Sequence, residues 1–253
     1  MINVAFYSVV PEHDLINFIL KNNKNFKLNL QNYELLIVLG GDGVFLDALN
    51  KFKDQNIKLL FIKTGNLGFF ENEINIKNIE INNNKFENYS LLKMTVDNET
   101  EFYSFNEFLL STVDNPINQT LFIKNNFFYS YTATGFLVST MNGSTGINRS
   151  LNGPLLSSNN QFIFNEFIPV NSTNSTSLKQ PIVFNIEDEL RIRLNVDYIP
   201  KINLKIDGKS IDFISKNIKI NLVKSKAKIY KLNQGQWVNR IQKKILGNYE
   251  TKK

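Results

Sequence analysis

Residues 34–43 read Glu-Leu-Leu-Ile-Val-Leu-Gly-Gly-Asp-Gly. One carboxylate, Asp42, sits among Gly40, Gly41 and Gly43 at the point where the apolar run Leu35–Leu39 stops, and Val44, Leu46, Ala48 and Leu49 then recur among polar residues. The pattern describes a buried parallel strand, a tight turn and the first turn of a helix. Glycines permit positive φ and let a ligand approach the main chain, and N–H groups at a helix N-terminus favour phosphate. A carboxylate beside phosphate costs electrostatic energy unless it does chemistry, by accepting a proton from an attacking hydroxyl or by orienting a metal ion. The plainer alternative is a strand-to-helix turn in which Asp42 is the N-cap. The segment is neither a Walker loop, since no Gly-Lys-Ser/Thr follows, nor a dinucleotide fingerprint, since the third glycine is missing.

Four further segments combine glycines, small hydroxyls, carboxamides and acids. Lys63–Phe70 puts Gly65, Gly68, Phe69 and Phe70 at a strand end, where an aromatic face can stack a base or simply fill the core. Phe105-Asn106-Glu107-Phe108 sets a polar pair inside an aromatic strand; alternation buries one member, which then needs partners. Ser139–Gly146, with Asn142, Gly143, Thr145 and Gly146, can wrap phosphate or hydrogen-bond a base, although flexible loops share its composition. Ile206-Asp207-Gly208-Lys209 reads as a structural hairpin turn.

The elements that must position these groups change character along the chain. Ile2–Val9, Tyr33–Leu39 and Ile57–Lys63 read as strands and Pro11–Asn22 and Val44–Lys53 as helices, a βαβαβ order that implies a parallel sheet with ligands at the carboxyl ends of its strands. From about Leu91 the chain is strand after strand: Leu91–Val96, Thr100–Thr112, Leu121–Tyr131, Phe136–Thr140, Gln161–Phe167, Ile182–Ile186, Leu190–Val196, Lys201–Ile206 and Asn217–Lys224. Asp97-Asn98 reads as a hairpin turn, and Asn171–Ser177 as a solvated connection. An antiparallel β-sandwich follows, and Trp237–Leu246 turns amphipathic again. The expected organisation is an α/β domain with a Rossmann-like parallel sheet over residues 1–90, a β-sandwich over 91–231, and a helix and tail over 232–253 returning to the first domain.

Composition closes several routes. The 253 residues contain no cysteine and one histidine, so thiolate chemistry is excluded and a histidine cluster or Ser-His-Asp triad is disfavoured. His13, between Glu12 and Asp14, reads as a surface residue. No stretch reaches the roughly 18 apolar residues of a membrane helix, and the first residues read as a strand and not a leader, which together imply a cytoplasmic protein with no membrane partner. The formal charge of +6 comes from scattered lysines without a basic, aromatic-interleaved stripe, so nucleic acid is not an expected partner. The abundance of Asn, Lys and Ile matches an AT-rich genome and accounts for the charge without a ligand.

In this order the segments resemble the NAD kinase family: Gly40–Gly43, Asn66–Phe70, Asn106-Glu107, Gly143–Thr145 with Gly153-Pro154, Asp207-Gly208, and Trp237–Arg240. The resemblance spans residue 33 to about 246. It implies an N-terminal α/β domain, a C-terminal β-sandwich, an active site in the cleft between them, and phosphoryl transfer from ATP or polyphosphate to the 2′-hydroxyl of the adenosine ribose of NAD. It further implies that Asp42 is the catalytic carboxylate, that Gly41 and Gly43 cradle phosphate, and that Phe69 packs on adenine. Asn106, Glu107, Thr145 and Ser150 would hydrogen-bond base or ribose, with Asn142 and Gly146 in the same loop. Magnesium would arrive with ATP, held by phosphate oxygens and water and by no protein metal site, and the chain would form a homodimer or homotetramer through its β domain. Ala133-Thr134-Gly135 stands where the family shows Gly-Asp-Gly, and Met141, Gly146 and Ile147 replace Pro, Ala and Tyr, which implies relaxed recognition of the nicotinamide half. A lipid or other small-molecule kinase sharing Gly-Gly-Asp-Gly, and a nucleotide-binding regulator without activity, are the alternatives.

Overall fold

The computed structural model describes residues 1–64, 74–113, 115–171, 175–196, 202–213, 215–230, 241–242 and 245. The chain divides into two compact units, Met1–Tyr89 with Ser225–Lys253, and Ser90–Lys224.

The first unit runs β1 (Ile2–Tyr7), α1 (His13–Asn22), β2 (Phe26–Leu28), β3 (Leu35–Gly40), α2 (Asp42–Phe52) and β4 (Lys58–Lys63). Its strands are parallel in the order β4-β3-β1-β2. Every residue of β3 is buried, which is why the strand reads as an unbroken apolar run: a central parallel strand is covered on both faces. Leu35, Ile37 and Leu39 share a core with Ile19 of α1, together with Leu60 and Ile62 of β4. On the opposite face Phe45 of α2 stacks on Phe61, 4.7 Å between centroids. Phe45, Ala48, Leu49 and Phe52 form the buried stripe of α2 at helical spacing. The two helices therefore cover opposite faces, the doubly wound arrangement expected from βαβαβ order. The short β2 was not legible in the sequence, since three residues carry no periodicity.

The second unit contains β5 (Phe86–Val96, entered from the first unit), β6 (Thr100–Ser104), β7 (Glu107–Thr112), β8 (Ile117–Ile123), β9 (Asn126–Thr140), α3 (Ile147–Ser150), β10 (Gln161–Pro169), β11 (Ile182–Asn185), β12 (Glu189–Asn195), β13 (Ile202–Ile206), β14 (Lys209–Phe213) and β15 (Asn217–Tyr230, which leaves for the first unit beside β4). The pairings registered within this unit are antiparallel. The long β9 organises it: β8 and then β7 lie along one edge and β10 along the other. Phe108, Leu110, Phe136, Val138, Phe162, Phe164, Ile192 and Ile220 come from five strands and share one core, the interior of a β-sandwich.

Several sequence readings differ from the structure. Thr100–Thr112 is two strands, β6 and β7, interrupted at Phe105-Asn106. Leu121–Tyr131 is likewise divided by a two-residue turn at Lys124-Asn125, both at positive φ (47° and 66°). Asn171–Ser177 is tied into the unit where it is described: the buried Ser177 hydroxyl donates to Glu166, and Ser175 Oγ accepts from the Thr132 N–H. Trp237–Arg240 and most of the amphipathic segment around it lie outside the described residues.

Close strand packing sets a sharp test. A Cβ on Gly135 would stand 1.8 Å from the Leu110 carbonyl oxygen, whereas one on Gly41 would meet nothing within 4 Å among the described residues. Gly135→Ala is therefore expected to lower stability in urea by about 2 kcal/mol or more through overpacking, and Gly41→Ala, which changes only the cap of α2, by about 1 kcal/mol or less. Equal urea midpoints for the two variants would contradict the registered contact of β7 with β9.

Candidate active site

The candidate residues fall in both units, and each group is built by its own unit. In the first, β3 ends at Gly40 with φ +153°, where a Cβ would lie 2.7 Å from Val44 Cβ, so this position requires glycine twice over. Gly41 is extended (φ −87°, ψ −177°) and its carbonyl accepts the first bonds of α2, from the N–H groups of Val44 (3.1 Å) and Phe45 (3.2 Å). The N-cap is thus Gly41, with no side-chain cap, and the helix starts at Asp42, two residues before the apolar periodicity suggested. This corrects the reading of Asp42 as an N-cap. Asp42 is the first helical residue and half-buried; a carboxylate there is favoured by the helix dipole. Gly43, in the same first turn, is exposed, and a Cβ on it would meet nothing within 4 Å among the described residues. Phe69, and with it Asn66–Phe70, lies outside the described residues.

In the second unit the organiser is a residue assigned from sequence only to a turn. Asp207 (φ +49°) and Gly208 (φ +82°) make the two-residue connection between β13 and β14, paired at Ile206 and Lys209. Positive φ at both positions is the turn type that Asp-Gly favours. The Asp207 carboxylate reaches across to the interruption between β6 and β7. Oδ1 accepts from Ser104 Oγ (2.6 Å) and from the N–H groups of Asn106 (2.7 Å) and Glu107 (3.3 Å), and Oδ2 from the N–H of Phe105 (3.0 Å). The Asp207 N–H donates back to the Glu107 carbonyl (3.2 Å). Three successive N–H groups that would otherwise extend a ladder are satisfied by one side chain, so the strand breaks at Phe105-Asn106 and resumes at Glu107, the first residue of β7.

The glycine-rich loop docks on that bend. Thr140 donates from its N–H to the Asn106 carbonyl (2.9 Å) and from Oγ1 to the Phe105 carbonyl (2.6 Å), and Oγ1 accepts from the N–H groups of Asn142 (3.1 Å) and Gly143 (3.3 Å). Gly143 is pressed so close that a Cβ would lie 2.2 Å from the Asn106 carbonyl oxygen. Thr145 donates to the Asn142 carbonyl (3.1 Å), which leaves its lone pairs for a ligand. Gly146 lies against Glu107: its Cβ would be 3.7 Å from Oε2. Ser150 closes α3, exposed, one helical turn beyond Gly146. Asn106, Glu107, Asn142, Thr145 and Gly146 are therefore brought together. Asp207 was the functional residue that motif reading undervalued; its partners lie 100 to 103 residues away in sequence, and the Asp-Gly pair was the one available signal.

Two features of the bend are unsatisfied. Asn106 Oδ1 is buried without a hydrogen-bond partner. The half-buried Glu107 carboxyl is pushed up to about 7, first by burial and then by the charge of Asp207. A native-state value above the unfolded one means that the folded state binds the proton more tightly. Stability is then fully present below about pH 4.5, declines as pH rises, and levels off above about 7. Glu107→Gln is expected to remove this decline, making the variant more stable than wild type at pH 8 by up to about 3 kcal/mol and no more stable at pH 4. Parallel stability–pH curves in urea would contradict it.

The geometry can be set beside known proteins. Residues 22–89 match the profile of the ATP-NAD kinase N-terminal domain. The chain is 32% identical over 230 residues to the NAD kinase of Ureaplasma parvum serovar 3, covering 87% of this chain and 84% of that one. It is 30% identical over 210 residues to the NAD kinase of Mycoplasmoides gallisepticum, covering 78% and 75%. In fold it is similar to yeast NADH kinase crystallised with NADH (TM-score 0.69, 17% identity, covering 98% of this chain and 87% of that one). It is also similar to an Archaeoglobus fulgidus NAD kinase crystallised with ATP (TM-score 0.68, 21% identity, covering 94% and 96%). Those two likenesses concern the fold; the sequence matches extend over most of both chains, and by them the chain belongs to the NAD kinase family.

Proposed function

We propose that Asp42 is the base in the phosphoryl transfer by which this enzyme phosphorylates NAD. Its carboxylate takes the proton of the adenosine 2′-hydroxyl as that oxygen bonds to the γ-phosphorus of ATP, and the bond to the departing ADP breaks. Catalysis of this kind rests on positioning and electrostatics. The observation that carries the reading is the pairing of Asp42 with Gly41 and Gly43, at neither of which a Cβ would meet anything within 4 Å among the described residues. Gly43 sits inside a helix, where it costs about 0.5–1 kcal/mol relative to alanine, yet a Cβ there would touch nothing among the described residues. An open backbone at a helix N-terminus suits phosphate.

Gly41 and Gly43 accordingly cradle phosphate. Asn106 and Glu107, with Asn142, Thr145, Gly146 and Ser150, contact base or ribose, and the buried unpartnered Asn106 Oδ1 supports a ligand there. Phe69 packing on adenine rests on the family resemblance alone. Magnesium enters with ATP as part of the donor, and inorganic polyphosphate is the alternative donor. No helix among the described residues is long and apolar enough to cross a membrane. The working state in this reading is a cytoplasmic homodimer or homotetramer built through the β-rich unit.

The test measures NADP formation with NAD, ATP and magnesium through an NADP-specific dehydrogenase. Asp42→Asn is expected to lower kcat at least about a hundredfold while calorimetric NAD affinity stays close to wild type. Gly43→Ala is expected to keep or gain stability and to raise KM for ATP. Wild-type turnover in Asp42→Asn would overturn the assignment of the base.

A further inference from the structure

We propose that Glu107 meets NAD as a neutral carboxylic acid, donating one hydrogen bond and accepting another, because Asp207 has taken the Ser104 hydroxyl and the backbone N–H groups of the bend that could have served it as an anion. This inference rests on the reading that NAD contacts the Asn106-Glu107 bend.

The two acids share one short stretch of chain and are treated very differently by it. The Ser104 hydroxyl and the N–H groups of Phe105, Asn106 and Glu107 all donate to Asp207. Even Glu107's own N–H is spent on Asp207, and no described residue donates a hydrogen bond to the Glu107 carboxyl or pairs with it as a cation. A half-buried carboxylate without donors or a counter-ion carries a desolvation cost that protonation removes. A second carboxylate beside it adds like-charge repulsion to the same effect.

The surroundings offer no relief. Across the ladder Glu107 is registered with Ser139 of β9, and the glycine-rich loop brings Gly146 against its Oε2; neither is ionisable. The β13–β14 hairpin carries Asp207 itself, with Lys205 and Lys209 flanking the turn, and α3 carries Arg149. Burial and Asp207 outweigh these cations and push the carboxyl up to about 7, so that it carries its proton below that pH.

The protonation state decides what the bend can recognise. An ionised glutamate only accepts hydrogen bonds, whereas a neutral one offers a donor and an acceptor side by side, as a glutamine does. Next to the Asn106 carboxamide this makes two donor–acceptor pairs in succession. That pattern complements an adenine edge, which presents an amino donor beside a ring-nitrogen acceptor.

Calorimetric titration of the full chain with NAD from pH 6 to pH 8.5 tests this, with wild type, Glu107→Gln and Glu107→Ala compared. NAD carries no group that titrates in this range. Wild-type affinity is expected to weaken about fivefold or more as pH rises through 7. Glu107→Gln should bind within about threefold of wild type at pH 6 and hold that affinity to pH 8.5, while Glu107→Ala binds more weakly throughout. Wild-type affinity that is constant or rises with pH, with Glu107→Gln as weak as Glu107→Ala, would overturn the neutral acid and leave the binding site intact. If both variants bind as tightly as wild type at every pH, NAD does not touch Glu107, and the parent reading of the site fails with it. Urea unfolding of each variant separates loss of binding from loss of fold.

Discussion

The Asp207 carboxylate, accepting from Ser104 Oγ and from three successive backbone N–H groups, is the interaction on which the second unit's candidate residues depend. Without it Phe105-Asn106 has no reason to leave the sheet, since strand runs up to it, ending at the buried Ser104, and resumes after it at Glu107. With it, one β-strand becomes β6 and β7, and the carbonyls of Phe105 and Asn106 turn to receive Thr140. That contact seats the glycine-rich loop, and the close approach of Gly143 to the Asn106 carbonyl leaves no space for another residue there. Hydrogen bonds to a charged acceptor are worth about 1.5–3 kcal/mol each, enough to hold a bend that the local sequence does not favour.

The first unit solves a different problem with simpler means. A strand buried on both faces needs only apolar residues, and it must stop without a side chain where the next helix begins. Gly40 meets that requirement through its positive φ and its contact with Val44. Gly41 then hands its carbonyl to α2, so that Asp42 arrives on the first turn without being spent as a cap. Gly43, unlike Gly40, meets nothing at its Cβ position among the described residues, and the proposed phosphate contact rests on that freedom.

How much of this the sequence disclosed follows from the range of the interactions. The parallel sheet, both helices and the Asp42 turn are written in local periodicity and punctuation, and they were legible to within a few residues. The order of the motifs sufficed to suggest the family. The bend at Phe105-Asn106 was not legible: its cause sits 100 residues downstream, and the polar pair Asn106-Glu107 is the one local mark of it within Thr100–Thr112. Asp207 read as a turn residue because it is one; the φ that suits Asp-Gly is local, while the four donors are not. Ser177 misled for the same reason, since its hydroxyl serves the buried Glu166 and not solvent, whereas Asn171 and Thr176 beside it are exposed as read. Glycines at 135 and 143 could be counted in the sequence, but only the register of β7 with β9 and the seat of the loop explain why nothing larger fits.

Amide hydrogen exchange on Asp207→Ala, with and without NAD, tests the dependence of the site on this carboxylate most directly. Exchange at Phe105, Asn106 and Glu107 is expected to accelerate roughly tenfold or more, while Leu36–Val38 in β3 stay protected and NAD no longer slows exchange at the bend. Wild-type protection of those three amides, or an undiminished NAD footprint on them, would contradict the claim that Asp207 shapes this site.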